Sequence, residues 1–252
     1  MEAYIDSNIG IDSEYIEGQQ SIIVNFAGCN FNCPFCFVPQ YLEFSNEYLN
    51  DLKVIKAEIE RISQNANNIV FTGGEPTLQR LALGNLCRFS RNFNLSIWIH
   101  TNASKPNVLR YLLVNQLCDN FIIDIKSPLE EDIFQKTTKS ANFFMQSSEI
   151  ISNIKKSLEL LYTYLPSISV EFRTTIFPGV MYEEHQLEEI AKSIARLHPI
   201  WVIQNFKYDE EEGILNKALL NSIKERLPSY KYLEGIKENL QRRFPQIIIE
   251  IR

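Results

Sequence analysis

Short runs of apolar residues alternate along this chain with longer segments in which apolar residues recur every three or four positions. The first run, 21–26, is almost continuously apolar, which is typical of a strand covered on both faces. The segment 52–62 carries its isoleucines on one helical face, and Asn50 or Asp51 precedes it as a helix cap. The same alternation predicts further strands at 68–71, 95–100, 121–124, 167–174 and 200–206, and further helices at 78–93, 106–115, 147–161 and 187–194.

This alternation of strands and helices predicts an α/β fold with a parallel sheet, because right-handed crossovers place successive strands side by side. We expect a partial (β/α)6, TIM-like barrel with a C-terminal extension. Active sites of barrel folds lie at the carboxyl ends of their strands. Clusters of polar or reactive residues follow the predicted strands at 29–36, 73–75, 100–102, 124–126 and 173–175. We therefore expect these clusters to meet at one end of the barrel.

The expected domain organisation is one barrel domain followed by a smaller extension. Residues 1–207 form the predicted partial-barrel domain, although 1–20 are mostly polar and predict no element. Residues 208–252 form a predicted helical extension packed on the barrel; it includes an acidic loop at 209–212 and a last apolar run at 247–251.

The amino-acid composition narrows the class of protein to which this chain could belong. The chain has 252 residues, 45% of them hydrophobic, and a formal net charge of −6, so one sizeable core is expected. The chain has no basic tail of the kind that would favour nucleic acid as a partner. It also has no apolar run that approaches the length needed to span a membrane. We expect a cytoplasmic protein with reduced thiols, in which cysteines bind metal more often than they form disulfides.

Three cysteines stand close together directly after the first predicted strand. Cys29, Cys33 and Cys36 have C-x-x-x-C-x-x-C spacing, and no second cysteine or histidine pair completes a closed zinc site. A [4Fe–4S] cluster fits better, because three thiolates leave its fourth iron open to a ligand that is not protein. Cys87 and Cys118 lie in apolar patterns, and we interpret both as core residues.

The cysteine motif, together with a second motif, resembles the radical S-adenosylmethionine superfamily. The stretch 72–79, Thr-Gly-Gly-Glu-Pro-Thr-Leu-Gln, is similar to the glycine-rich motif of that superfamily. The resemblance implies that Gly73, Gly74 and Glu75 bind the amino group of the methionyl moiety. Paired glycines also allow close backbone approach, and a carboxylate suits an ammonium group.

Several later stretches are similar to the activating proteins of anaerobic ribonucleoside-triphosphate reductase, relatives of pyruvate formate-lyase activase. This narrower resemblance implies that Asp124 and Lys126 arrange the methionyl carboxylate, that Arg173 pairs with it, and that Thr101 and Asn102 lie over the ribose. The residues alone equally fit a simple ion pair at Asp124 and Lys126, and a structural pair at the barrel rim for Arg173.

Three positions depart from the activase pattern. The third cysteine is followed by Phe37-Val38-Pro39, where activases usually have His-Asn-Pro; His100 replaces a common Asp, and Ala103 a usual Gly. The first two changes alter polarity near the cluster and the methionyl carboxylate. They leave the cluster ligands unchanged.

The resemblance implies an enzyme that cleaves S-adenosylmethionine reductively at a [4Fe–4S] cluster and activates a glycyl-radical enzyme. Its partners would then be that protein substrate and an electron donor such as flavodoxin or ferredoxin. A first alternative is a radical enzyme acting on a small molecule, such as a pterin-like precursor of deazaguanine. A second alternative is a metal-binding module without catalysis.

Overall fold

The computed structural model describes residues 1–141, 145–177, 179–206 and 228–252. The predicted acidic loop at 209–212 and the predicted domain boundary at 207/208 lie outside these residues. The strands are β1 (Glu2–Tyr4), β2 (Gly10–Ile16), β3 (Gln19–Phe26), β4 (Leu49–Asp51), β5 (Asn68–Gly73), β6 (Ser96–Thr101), β7 (Asn120–Asp124), β8 (Ser169–Ile176), β9 (Ile200–Asn205) and β10 (Ile248–Ile251). The helices are α1 (Leu52–Ile62), α2 (Arg80–Ser90), α3 (Pro106–Val114), α4 (Glu131–Thr138), α5 (Ser147–Tyr164), α6 (Glu184–Ile194) and α7 (Tyr230–Arg243).

Eight of the described strands form one curled sheet in the order β10-β9-β8-β7-β6-β5-β3-β2. All neighbours pair in parallel except β2, which runs antiparallel to β3 at one edge. Helices cover the outer face, so the sheet is a half-barrel, and the predicted α/β partial barrel is confirmed. A separate two-stranded sheet pairs β1 with β4.

The two faces of the curled sheet differ in chemistry, as the strand period of two requires. Residues that face the helices are apolar and fully buried, for example Phe71, Ile99 and Phe172. Their immediate neighbours Thr72, His100 and Arg173 line a cavity on the inner face instead. The hydrophobic core therefore lies between sheet and helices, and the inner face is free to carry polar groups.

Five of these strands and helices were not predicted, among them the short strands β1 and β4. Residues 10–16 form β2, residues 131–138 form α4, and the last apolar run forms β10, which pairs in parallel with β9. The described C-terminal segment thus contributes a strand to the sheet as well as α7, whose Leu233 and Leu240 are buried. The cap of α1 is the predicted Asp51, whose side chain accepts a hydrogen bond from the Lys53 amide.

Candidate active site

The carboxyl ends of the parallel strands surround a cavity of about 280 Å³. Every site residue predicted from the sequence lines it: Cys29, Cys33, Cys36, Gly73, Gly74, Glu75, Thr101, Asn102, Asp124, Lys126 and Arg173. Aromatic side chains, among them Phe35 and Phe37, supply an apolar part of its wall. The strand ends therefore bring the separate sequence clusters into one site.

The cysteine loop leaves β3 and is held by its own backbone. The Phe31 amide lies 3.4 Å from Cys29 Sγ, and the Cys36 amide donates to the Cys33 carbonyl. The Asn32 amide donates to the Thr138 carbonyl at 2.9 Å, which ties the loop to the end of α4. These bonds fix the loop with all three thiols on the cavity.

The three thiols suit a cluster in which each sulfur binds a different metal atom. They line one cavity, and no three His, Cys, Asp or Glu side chains within the described residues are grouped to hold a single ion. Burial raises the pKa of all three thiols, that of Cys33 to about 12, although the charge of Lys126 acts in the opposite direction. Bound iron would have to supply the positive charge that keeps them as thiolates.

Cys87 and Cys118 lie in the core, as predicted. Both are buried in the hydrophobic cluster, and neither lines the cavity. Burial raises the pKa of both thiols well above the usual value. The chain's remaining cysteines are therefore placed away from the three predicted ligands.

The two glycines after β5 allow close contact between backbones. Gly73 has φ +101°, and a Cβ there would collide with the backbone of Phe26. A Cβ on Gly74 would collide with the carbonyl oxygen of Gly28 in the cysteine loop. The Glu75 amide donates to that same carbonyl at 2.8 Å. The glycine motif thus packs directly against the cysteine motif.

Glu75 is buried and joins two strand ends. Its Oε1 accepts from the amide and hydroxyl of Thr77 and, at 2.6 Å, from the hydroxyl of Thr101. Its Oε2 accepts from the Asn102 amide at 2.8 Å. Burial raises the pKa of Glu75, while these hydrogen bonds act to lower it. Oε2 keeps an unused lone pair, since it accepts a single bond among the described residues.

The loop after β6 is tied to the cysteine loop through Asn30. The side-chain Nδ2 of Asn102 donates to Asn30 Oδ1 at 3.0 Å, and Asn30 Nδ2 in turn donates to the Ser104 hydroxyl at 2.9 Å. Between them Ala103 has φ +58° and is fully buried, a conformation that a residue with a Cβ adopts at a cost. Sequence reasoning noted Ala103 but missed Asn30, since nothing in the sequence pairs it with Asn102.

Asp124 is the centre of a half-buried charge cluster. Its Oδ2 accepts from Lys126 Nζ at 2.8 Å, and its Oδ1 lies 3.1 Å from Nε2 of His100. Burial acts to raise the pKa of Asp124, but Lys126 and His100 outweigh it, so the pKa lies well below the usual range. Burial likewise acts to lower the pKa of Lys126, and Asp124 reverses this and raises it.

Arg173 pairs with protein groups on two sides. Its Nε donates to Glu171 at 2.6 Å, and its Nη2 donates to the Tyr15 carbonyl at 2.7 Å. The guanidinium lies over the Tyr15 ring, 5.2 Å from its centroid. The alternative of a structural pair at this position thus has a defined partner, Glu171, while Nη1 has no hydrogen bond within the described residues.

Tyr15 is a cavity residue that sequence reasoning did not identify, and Thr72 is a residue of the glycine-rich motif to which it gave no role. The Tyr15 hydroxyl lies 2.6 Å from Thr72 Oγ1 and 2.5 Å from His100 Nδ1. Tyr15 belongs to β2, in the polar segment that predicted no element. Only the folded sheet brings this edge strand to β5 and β6.

The fold and the site define a radical S-adenosylmethionine enzyme. The model of the radical SAM superfamily matches residues 23–194, which is more than half of the chain. The protein therefore belongs to this superfamily, and the family implies both S-adenosylmethionine and an iron–sulfur cluster.

Two curated relatives point to different members of the superfamily. A Methanocaldococcus jannaschii protein, provisionally named a glycyl-radical enzyme activating enzyme, is 30% identical over 229 residues, covering 89% of this chain and 90% of the relative. The 7-carboxy-7-deazaguanine synthase of Clostridium acetobutylicum is 30% identical over 158 residues, covering 62% and 69%.

Solved structures share the fold at low sequence identity. A radical SAM methyltransferase from Sphaerobacter thermophilus has a TM-score of 0.64 at 15% identity, covering 94% of this chain and 70% of that one. SuiB from Streptococcus suis has a TM-score of 0.62 at 13% identity, covering 90% of this chain and 47% of its own. This chain thus spans about half the length of SuiB, and these likenesses concern the fold alone.

Among the described residues, no helix combines the length and the apolar character that crossing a bilayer requires.

Proposed function

We propose that the protein cleaves S-adenosylmethionine reductively at a [4Fe–4S] cluster and installs a glycyl radical in a partner enzyme. Cys29, Cys33 and Cys36 would hold the cluster. When bound and reduced, the cluster supplies the electron that splits the sulfonium into methionine and a 5′-deoxyadenosyl radical, which takes a hydrogen atom from the substrate. The observation that carries the proposal is the joining of the cysteine and glycine motifs at one cavity.

The remaining predicted residues have proposed roles in binding S-adenosylmethionine. The loop Gly73–Glu75 would receive the amino group, because Glu75 Oε2 keeps a lone pair. Lys126 would face the carboxylate, since its charge is fixed by Asp124 and lies near Cys33. Arg173 would assist with Nη1, and the buried Thr101 and Asn102 would lie against the ribose. Each of these residues lines the cavity.

The glycyl-radical assignment draws on the relative from Methanocaldococcus jannaschii, whose similarity runs through most of both chains. Its substrate would be a glycine in a protein loop, and the electron would come from a donor such as flavodoxin or ferredoxin. The cavity has an apolar wall at Phe37, which is 41% exposed and stacks on Phe206 with ring centroids 5.1 Å apart. The exposed Phe37 ring, supported by the buried Phe206, is a surface against which a substrate loop would pack.

A second candidate is a small-molecule substrate related to pterins. The 7-carboxy-7-deazaguanine synthase relative supports it, and so does the modest cavity of about 280 Å³ at the strand ends. An aromatic wall and neighbouring amide groups such as Gln204 would suit a flat heterocycle. In this case the chemistry at the cluster is unchanged and only the hydrogen donor differs.

Electron paramagnetic resonance separates the two candidates. The reconstituted, reduced protein is mixed anaerobically with S-adenosylmethionine and an anaerobic ribonucleoside-triphosphate reductase. We expect a glycyl doublet, with about one 5′-deoxyadenosine formed per radical.

The matched control is the same partner with its radical glycine replaced by alanine, which should give no doublet. No signal with the intact partner, combined with 5′-deoxyadenosine formation that a pterin-like precursor stimulates, would replace the first candidate with the second.

A further inference from the structure

Tyr15 reaches the cavity because β2 is irregular. The pairing of β2 with β3 shifts register between Asp12 and Ile16. The Asp12 carboxylate holds this irregularity by accepting from the amides of Glu14 and Tyr15 at 2.6 and 3.1 Å. Such bulges re-aim side chains, and here the side chain of an edge-strand residue enters the half-barrel.

Three different strands hold Tyr15 once it is inside. Thr72 of β5 and His100 of β6 bind its hydroxyl, and Arg173 of β8 binds its carbonyl and covers its ring. A residue that served only to fill space would need none of these polar contacts. The contacts place the phenol oxygen at a defined point beneath the cavity.

The hydrogen-bond partners allow a consistent arrangement of protons, in which the His100 tautomer is assigned from its neighbours. The Asp124 carboxylate accepts, so Nε2 of His100 carries a hydrogen where it faces Oδ1 at 3.1 Å. Nδ1 then accepts from the Tyr15 hydroxyl, which in turn accepts from Thr72. Burial raises the pKa of Tyr15 to about 12, so the phenol keeps its proton at neutral pH and can donate.

A series of side-chain contacts connects the edge strand β2 to the surroundings of Cys33. It runs from Tyr15 through His100 and Asp124 to Lys126, whose charge acts on Cys33. Nε2 of His100 lies 3.1 Å from Asp124 Oδ1, while Nδ1 contacts the Tyr15 hydroxyl at 2.5 Å and Thr72 Oγ1 at 3.4 Å. The Tyr15 hydroxyl is therefore the closer of the two groups that orient the imidazole ring at Nδ1.

We propose that Tyr15 is a positioning residue for S-adenosylmethionine: its hydroxyl orients His100, and His100 holds the Asp124–Lys126 pair in its place at the cavity. This inference rests on the proposed binding of S-adenosylmethionine at the same site. It adds a residue from β2 whose effect passes through His100 and not through contact with the ligand.

The test is a double-mutant cycle with Tyr15→Phe and His100→Gln on the reconstituted protein. Tyr15→Phe keeps the ring and the contact with Arg173 but removes the oxygen. Affinity for S-adenosylmethionine is measured with the cluster oxidised, so that no cleavage competes with binding. We expect Tyr15→Phe to weaken binding about three- to tenfold, and to add less than about twofold when His100 is already replaced.

Further measurements separate positioning from folding. KM should rise with Kd in Tyr15→Phe while kcat stays within about twofold. The matched control is Tyr111→Phe, which removes a phenol that binds Arg88 on the outer helices and should leave affinity unchanged. Thermal unfolding of the cluster-free protein should show that both variants fold.

If Tyr15→Phe does not fold, Thr72→Val removes the other partner of the phenol and should weaken binding of S-adenosylmethionine about two- to fivefold.

Wild-type affinity in a folded Tyr15→Phe variant would overturn the inference, and so would independent, additive effects of the two substitutions. A loaded wild-type protein that does not bind S-adenosylmethionine would instead overturn the proposed function on which the inference rests. The two failures are therefore told apart by the wild-type protein alone.

Discussion

Replacing Cys33 with alanine is expected to produce a folded protein that does not retain an iron–sulfur cluster. Cys33 is the middle cysteine of the motif and is buried at the cavity, so no other thiol among the described residues can take its place there. Two remaining ligands would leave two irons of the cluster open. We expect iron and sulfide content after desalting to fall below about a tenth of the wild-type value, and cleavage of S-adenosylmethionine to be lost.

The control for this variant is Cys87→Ala, which removes a buried thiol that does not line the cavity. It should keep the full iron content and lower the free energy of unfolding by about 1 kcal/mol, because it leaves a small void in the core. Wild-type iron content in Cys33→Ala, or iron loss in Cys87→Ala, would show that the ligands have been assigned wrongly.

Replacing Asp124 with asparagine is expected to destabilise the cluster-free protein by about 2–3 kcal/mol. The substitution keeps the shape but leaves the half-buried Lys126 ammonium without its counter-charge 2.8 Å away. Urea unfolding at neutral pH measures the effect. The control is Glu159→Gln, which breaks the exposed pair with Arg196 and should cost less than about 1 kcal/mol.

The same carboxylate predicts how stability depends on pH. The pKa of Asp124 is lower in the folded protein than in the unfolded chain, whose value is about 4. Its contribution is therefore fully present above that value and is lost as the pH falls toward the folded pKa. Equal costs for Asp124→Asn and Glu159→Gln at neutral pH, or an Asp124→Asn effect that does not shrink in acid, would contradict the ion-pair account.

Much of the fold follows from patterns that are local in the sequence. The apolar run at 21–26 is typical of a buried strand, and the apolar residues of 52–62 recur with the period of a helix. The alternation of such segments implies parallel strands with their ends aligned. That alignment is why cysteines and glycines separated by about forty residues were expected at one place, and the structure puts both on one cavity.

The missed features depend on distant parts of the chain. The segment 10–16 has no clear apolar period, because it is an edge strand with most of its side chains exposed. Asp12 holds its bulge, and Tyr15 then enters the half-barrel, where it contacts Thr72 and Arg173. No pattern within β2 reports these partners, so sequence reasoning left the segment unassigned.

The chemical detail of the site also comes from pairing across strands. The sequence marks Glu75 as a charged group beside two glycines, but only the structure shows that its oxygens bind Thr101 and Asn102 of the next strand end. Likewise Arg173 was expected to face a ligand, and the structure adds Glu171 as its partner at 2.6 Å. The sequence predicted which types of residue lie at the site. Their hydrogen-bond partners are set by the pairing register of neighbouring strands, which the sequence alone does not show.

The measurement that tests the central claim most directly is the cleavage of S-adenosylmethionine by the reconstituted protein. Iron and sulfide are added anaerobically, the cluster is reduced, and 5′-deoxyadenosine and methionine are separated by chromatography. We predict equal amounts of both products, formed only with reductant and absent from Cys33→Ala. A fully loaded and reduced cluster that neither binds S-adenosylmethionine nor yields 5′-deoxyadenosine would contradict the account.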